Sequence, residues 1–358
     1  MKKLNYTLPL AAGSLALLLS ASLSCYEGAP VPPHDFAGDS TSHAFAWERE
    51  SVGDGNGSVL YDAAIVNDTL AYAVGVFSIA DSNGGFTIPP FNLARWNGSL
   101  WSYAATADSG YAFSPLWSVF AFAPDDIWAG STVPEHWDGH RWTFYGPARG
   151  YAGTFPIRRM WGSSSRDLYA AGDGGHISHF NGTGWRDLQT GTTLDFRDIN
   201  GAWDLQANGW QILAVASASP PNFDRKIVAI EGETVTPLPD YPIQFPLEGI
   251  WFVPNRYYAV AGTGVYVKLT IGEPVWRNGR LDVTPNRMNA VRGLDIDDLF
   301  VAGDAGDVLH YNGRTWHSDI AQTGFTGSYN ALAIKGDVVL AVGTNSVRAV
   351  IARGRRIR

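Results

Sequence analysis

Acidic side chains recur in this 358-residue sequence at positions that could hold a metal ion or act as paired carboxylates. Asp126, Asp167 and Asp298 each begin a short apolar run. Asp173 and Asp304 each lie in a glycine-rich turn. Calcium takes about six to eight oxygen ligands, which two acidic residues in separate segments cannot supply. Aspartates in turns commonly bond backbone amides. We therefore interpret these residues as turn formers and predict no metal site.

Histidine side chains are a second set of candidate ligands. His176 and His179 are three residues apart, which in a strand places them on opposite faces, so they cannot bind one ion together. His136, His179 and His310 occupy the same position in repeated segments, which indicates a structural role. The sequence has no Gly-x-Ser-x-Gly nucleophile motif. It therefore predicts no catalytic residue, no metal and no cofactor.

The only cysteine, Cys25, follows an apolar segment near the start of the chain. Lys2 and Lys3 precede the apolar run Leu8–Leu19, which is too short for a membrane-spanning helix and has the form of a secretory signal. A lone cysteine cannot form an intramolecular disulfide. Two interpretations follow: lipid attachment at Cys25, or cleavage nearby that leaves a free thiol.

The residues Ala21 to Cys25 resemble the lipobox of bacterial lipoproteins, whose cysteine is acylated and becomes the first residue of the mature chain. Ser22 departs from that pattern, because leucine is usual three residues before the cysteine. Tyr26 stands where lipoproteins retained at the inner membrane carry aspartate. The resemblance implies a signal peptide over residues 1–24 and lipid attachment at Cys25. It also implies an exported protein at the outer membrane, on its periplasmic side or at the cell surface.

Residues 25–44 carry Pro30 and the pair Pro32-Pro33 among small polar residues, which predicts a flexible tether.

The composition limits the partners. The net charge of −8 argues against nucleic acid as a partner. Contact with the membrane is expected only through the lipid anchor.

Turn signals repeat along residues 45–358 and decide the architecture. The segments Asp167–Trp185 and Asp298–Trp316 match along their length. An Asn-Gly or Asp-Gly pair precedes a tryptophan in four places, which end at Trp101, Trp142, Trp185 and Trp316. Neighbouring units are about 40 to 45 residues apart, which is typical of a β-propeller blade with four strands.

The last unit, 329–358, lacks a fourth strand and its tryptophan. Phe45–Val52 can supply that strand, with Trp47 in the vacant place. Closing the ring in this way leaves no open sheet edge. The sequence therefore predicts an all-β, single seven-bladed β-propeller with four-stranded antiparallel blades, closed by an N-terminal strand. The predicted blades begin near Leu60, Trp117, Ile157, Ile199, Leu247, Met288 and Tyr329.

These repeats resemble bacterial exported propellers of the kelch, BNR and WD40/YVTN-like group. That fold hosts many activities, so it does not decide function. The sequence lacks the Asp-box, copper-site and quinone-docking patterns of enzymatic propellers. It favours a membrane-anchored, non-catalytic binding or assembly module for a protein or glycan. The alternative is a hydrolase or lyase acting on extracellular polysaccharide.

Three long connections are expected to rise from one face of the ring: Ser78–Asn92, Tyr145–Pro156 and Ser217–Arg225. Exposed aromatic and arginine side chains are enriched at binding surfaces. We therefore predict a partner-binding surface that contains Phe86, Arg149, Tyr151 and Phe223.

Two further predictions concern the channel. Because side chains alternate along a strand, one of Arg158 and Arg159 should face the channel, and Arg159 is a candidate for anion contact. An aromatic residue recurs just before the first strand of a blade, which predicts a packing ring around the channel mouth: Phe113, Phe155, Phe196, Phe245 and Phe325.

Overall fold

The computed structural model describes residues 40–54, 57–106, 113–219, 221–279 and 284–357. The predictions for the signal peptide, for Cys25 and for most of the tether lie outside these residues. The described chain forms seven four-stranded antiparallel sheets. This confirms the predicted all-β, seven-bladed propeller.

In blades one to six, four consecutive strands follow one another from the channel outward. Blade one has β2 (Val59–Asn67), β3 (Leu70–Phe77), β4 (Phe91–Trp96) and β5 (Trp101–Ala104). Blade two has β6 (Ser118–Ala123), β7 (Asp126–Gly130), β8 (Pro134–Trp137) and β9 (Trp142–Phe144). Blade three has β10 (Ile157–Ser164), β11 (Asp167–Gly172), β12 (Ile177–Phe180) and β13 (Trp185–Asp187). Blade four has β14 (Asp195–Asp204), β15 (Gly209–Ser217), β16 (Arg225–Glu231) and β17 (Thr234–Leu238).

Blade five has β18 (Leu247–Val253), β19 (Tyr257–Gly262), β20 (Gly264–Lys268) and β21 (Arg277–Gly279). Blade six has β22 (Met288–Asp295), β23 (Asp298–Gly303), β24 (Val308–Tyr311) and β25 (Trp316–Ser318). Blade seven has β26 (Ser328–Lys335), β27 (Val338–Thr344), β28 (Ala349–Arg356) and, outermost, β1 (Phe45–Val52).

The Asn-Gly signals form the outer hairpin turns, as their residue types predict. In blade one, the Asn97 carboxamide oxygen accepts hydrogen bonds from the amides of Ser99 and Leu100, at 3.0 Å each. Gly98 has a φ of 97°, which a residue with a Cβ rarely adopts. The same arrangement recurs at Asp138, Asn181 and Asn312.

The hydrophobic core lies between neighbouring blades. One cluster joins blades six and seven through Phe300, Tyr329 and Val339. Another joins blades seven and one through Leu340, Leu60 and residues around them. Each blade therefore depends on both of its neighbours for burial of its apolar faces.

β1 closes the ring. It pairs with β28 along its whole length, from Phe45 opposite Arg356 to Val52 opposite Ala349. Phe45 is 2% exposed and packs edge-to-face on Phe300. Trp47, which the sequence placed in the vacant core position, is only half-buried. The closing strand is as predicted, but its buried anchor is Phe45.

Helical structure is minor in the described chain. One turn of α-helix, α1 (Ile320–Thr323), follows β25. Three 3-10 turns cover Pro147–Arg149, Asp173–Gly175 and Asp304–Gly306. Among the residues that the structure describes, no helix is long and apolar enough to span a membrane.

Candidate binding face

Strand direction alternates within each blade, so the connections divide between two faces. The loop face carries the connections between strands two and three of a blade and those that lead to the next blade. All three predicted long connections lie on it: β3 to β4, β9 to β10 and β15 to β16. The turn face carries the other hairpin turns, for example those between β14 and β15 and between β4 and β5.

A β-bulge recurs near the start of the innermost strand. The register shifts between Leu60 and Asp62 in β2 and between Ile157 and Arg159 in β10. Equivalent shifts occur in β14, β18, β22 and β26. Bulges re-aim a side chain and are common beside functional sites. In each of these strands, the bulged residue lines the mouth of the channel at the loop face.

The bulged residues form a set with one member per blade, which we call the mouth ring. Trp117 occupies the corresponding place just before β6, where its amide donates to the Gly130 carbonyl at 2.7 Å. The cavity that the ring surrounds has a volume of about 340 Å³. The ring consists of Tyr61, Trp117, Arg158, Arg197, Glu248, Asn289 and Asn330.

One side of the mouth ring is aromatic and cationic. Tyr61 stacks on Trp117 with ring centroids 4.2 Å apart. The Arg158 guanidinium lies over the Trp117 ring, 4.7 Å from its centroid. Asp173 accepts two hydrogen bonds from Arg158, at 2.6 and 2.8 Å. Burial raises the pKa of Tyr61 above its usual value. A ligand in the mouth would meet aromatic rings next to a guanidinium held in place.

The rest of the ring is polar and includes an acid. Arg197 donates to Ser219, at 3.0 Å, and pairs with Asp195. Glu248 pairs with the exposed Arg287. Asn289 and Asn330 donate to backbone carbonyls of the next blade. The mouth therefore has charges of both signs, which suits a partner of mixed polarity.

Below the mouth, a buried charge network crosses the channel. Asp198 accepts two hydrogen bonds from Arg292, at 2.7 and 2.8 Å, and one from the Ile250 amide. Arg159 donates to the carbonyls of Asn330 and Arg158, and its Nε lies 3.9 Å from the Asp198 carboxylate. Arg159 and Arg292 of this network line a second cavity of about 260 Å³.

Arg158 and Arg159 both line the channel mouth, whereas strand alternation predicted only one. The bulge between Ile157 and Arg159 accounts for this difference, because an extra residue breaks the alternation. The contacts of Arg159 are protein carbonyls and a carboxylate. Its contact with an anionic partner stays a prediction.

Two of the predicted loop residues are exposed aromatics at the loop face. Phe86, between β3 and β4, is 40% exposed, and Phe223, between β15 and β16, is 51% exposed. Arg149 is also exposed, at the end of its 3-10 turn. Their positions are compatible with a binding surface, and their roles stay predictions.

Tyr151 is buried, whereas the sequence predicted that it lies on the exposed binding surface. Its side chain has no exposed area. The connection folds back, the Tyr151 amide donates to the Gly146 carbonyl, and the ring packs edge-to-face on Trp185 at 5.4 Å. Burial raises the pKa of the Tyr151 hydroxyl well above its usual range. Tyr151 is therefore part of the core of blade three.

Phe245 departs from the predicted packing ring. Phe155, Phe196 and Phe325 are buried, but Phe245 is 41% exposed. Its ring lies edge-to-face with that of Phe223, at 6.3 Å. Tyr241, in the same connection as Phe245, is 66% exposed and had no predicted role. Because Arg197 of the mouth ring bonds Ser219 in the Phe223 connection, this aromatic cluster adjoins the mouth.

The repeated aspartates bond histidines rather than the backbone amides that the sequence suggested. Asp126 bonds His136 at 2.8 Å, and Asp167 bonds His179 at 2.7 Å. The pair Asp298 and His310 repeats this contact in blade six. The hydrogen bond from His179 lowers the pKa of Asp167. Within the described ranges, no group of three or more metal-ligating side chains is suitably placed for an ion.

Comparisons with known proteins identify the fold. Neither a family model nor a curated sequence matches the chain. The solved structure named "YCF48 bound to D1 peptide" is 15% identical, with a TM-score of 0.64, and the match covers 89% of this chain and 97% of that one. The WD40 β-propeller domain of Doa1 is 10% identical, with a TM-score of 0.62 and coverage of 88% and 99%.

YCF48 from Cyanidioschyzon merolae is also similar, at 14% identity and a TM-score of 0.58, with coverage of 87% and 98%. At these identities the similarity shows the seven-bladed fold alone. The resemblances to bacterial lipoproteins and to kelch and BNR proteins stay predictions.

Proposed function

We propose that the propeller is a non-catalytic binding module that takes a peptide segment of a protein partner into the mouth ring on its loop face. The observation that carries this proposal is the contrast between two kinds of repeated position. The aspartate–histidine pairs keep the same residue types in three blades. The mouth ring keeps its backbone bulge in six blades but has aromatic, cationic, anionic and amide side chains in different blades.

This contrast supports recognition rather than packing. A position that stabilises each blade needs the same residue type each time, whereas a position that contacts an asymmetric ligand needs different ones. Trp117, Tyr61 and the exposed pair Phe223 and Phe245 supply aromatic contacts of the kind that dominate binding energy. A protein partner is favoured over a glycan because one structural neighbour is described as bound to a peptide.

Peptide selection tests the binding face. Peptides selected on the wild-type protein should bind a Phe223→Ser/Phe245→Ser variant about tenfold or more weakly, because a truncated aromatic hot spot costs about 2 kcal/mol. Trp117→Ala should weaken binding in the same way. The measurement is peptide affinity by fluorescence anisotropy, with melting temperature as the check on folding.

Leu100→Ser provides the matched control, because Leu100 is 57% exposed but lies on the turn face. It should bind the selected peptides like wild type. Equal affinities for wild type and for both loop-face variants would rule out this face. A parallel screen against polysaccharides, scored for retention and for released product, tests the glycan-binding and polysaccharide-cleaving alternatives.

We also propose that Cys25 carries the lipid that holds this module at the membrane. Its position after the apolar segment supports this proposal. Cys25→Ser should move the protein from the membrane fraction to the soluble fraction and abolish incorporation of labelled palmitate. Ser24→Ala keeps a small residue before the cysteine and should behave like wild type. A wild-type protein that incorporates no palmitate would contradict the proposal.

A further inference from the structure

An exposed apolar tip projects from the turn face of blade four. Trp203 and Trp210 are directly paired across the hairpin of β14 and β15, and both are nearly half exposed. Leu205, at the turn itself, is 86% exposed. The two indole rings lie edge-to-face at 5.4 Å, and Trp210 also contacts Trp161 at 5.3 Å. The tip is therefore a rigid, apolar projection supported by the core.

The residues of this tip carry little charge. Asp204 begins the turn and is 7% exposed. Its carboxylate accepts hydrogen bonds from the amides of Gln206 and Ala207 and from the side chain of Asn255. These bonds lower its pKa. The rest of the turn, 205–208, is uncharged.

The N-terminal segment of the described chain leaves the ring on this same face. Thr41 donates to the Asp297 carbonyl in the turn between β22 and β23. His43 forms a 2.9 Å hydrogen bond with His310, and Arg356 donates to the Ser42 carbonyl at 2.9 Å. Residues 41–43 are thus fixed to blades six and seven at the turn face.

We propose that the turn face docks on a lipid bilayer, with Trp203, Leu205 and Trp210 in the interfacial layer. The proposal rests on the proposed lipid anchor, which would hold a bilayer on this side. The chain between Cys25 and residue 40 spans at most about 50 Å when fully extended. Tryptophan is enriched at membrane interfaces, because its ring is apolar and its N–H remains hydrated.

Further apolar side chains lie on the turn face, where docking would also bring them towards the lipid. They are exposed residues from other blades and from the C-terminal end of β28: Leu100, Leu294 and Ile357. Docking of this face directs the mouth ring away from the membrane. The membrane would then be touched by the propeller itself as well as by the anchor.

A tethered-vesicle experiment tests the docking independently of Cys25. All strands that the structure describes lie between Phe45 and Arg356, so a chain that starts at residue 26 retains the whole ring and has no cysteine. An N-terminal polyhistidine tag binds it to phosphatidylcholine vesicles that contain nickel-chelating lipid. A fluorophore on Leu205→Cys is then quenched by nitroxide-labelled phosphatidylcholine. The control label is on Ile88→Cys, because Ile88 is 94% exposed on the loop face.

We expect strong quenching at residue 205 and little at residue 88. Trp203→Ser/Trp210→Ser in the Leu205→Cys chain should reduce the quenching to the level of the Ile88 control. If the double variant unfolds, Trp203→Ser alone, which leaves Trp210 on Trp161, provides the comparison. Equal quenching of the two labels, or quenching that the tryptophan substitutions leave unchanged, would overturn the proposal. The palmitate and peptide measurements report separately on the anchor and on partner binding.

Discussion

Deletion of Phe45–Val52 is expected to lower the melting temperature sharply and to produce oligomers. β1 contributes a complete ladder of backbone hydrogen bonds to β28, and its loss leaves that strand as an open edge. It also carries side-chain contacts to both neighbouring blades: Arg49 donates to the Thr323 carbonyl, and the Glu50 carboxylate accepts a hydrogen bond from the Tyr103 hydroxyl. Thermal melting and size-exclusion chromatography measure the two effects.

Single substitutions in β1 measure what its side chains contribute to stability while leaving its backbone hydrogen bonds to β28 in place. Phe45→Ala should cost about 3–5 kcal/mol of unfolding free energy, as expected for a large buried aromatic residue. Trp47→Ala should cost clearly less, because Trp47 is only half-buried. A protein without β1 that stays monomeric and melts like wild type would disprove closure by this strand.

Asp198→Asn is expected to destabilise the ring by about 3–5 kcal/mol, because it removes the carboxylate that pairs with Arg292 and lies nearest to it in the channel. Asp198 is nearly inaccessible, with a side-chain exposure of 2%, and it compensates Arg292 from blade six and Arg159 from blade three. The loss should appear in chemical denaturation as a lower midpoint with an unchanged slope.

Asp195→Asn is the matched control for this prediction. Asp195 lies in the same strand and pairs with Arg197, but its side chain is 29% exposed. Partly exposed pairs contribute about 1 kcal/mol or less. Similar losses for both variants would show that the buried network has no special role in holding the blades together.

The architecture was predictable because it depends on local signals. The Asn-Gly and Asp-Gly turns need specific backbone angles that these residue types favour. Their spacing along the sequence indicates the number of blades without any knowledge of the packing. The closing strand followed from the same count, since the unit at 329–358 lacks a strand and Phe45–Val52 has the matching pattern.

The site was predicted less completely because it depends on tertiary contacts. The burial of Tyr151 arises from packing on Trp185, which no turn signal encodes. In six of the seven blades the mouth ring depends on a bulge in the innermost strand, and the bulge in β10 shifts the alternation that assigned Arg158 and Arg159 to opposite sides. The pair of Asp198 and Arg292 joins residues that are distant in sequence. The charges of Arg158 and Arg159 in an innermost strand were the signal used, and the structure places both of them, rather than one, at the channel mouth.

Closure by β1 also has a consequence for the order in which the chain folds. During synthesis β1 is made before every other strand of the ring, yet its partner β28 is the last strand to be made. β1 therefore stays unpaired until the other strands of the ring have been synthesised. Non-local pairing of this kind folds slowly and exposes a strand to aggregation. The stretch Glu48–Ser51 of β1 is charged and polar, a composition that opposes aggregation of an unpaired strand.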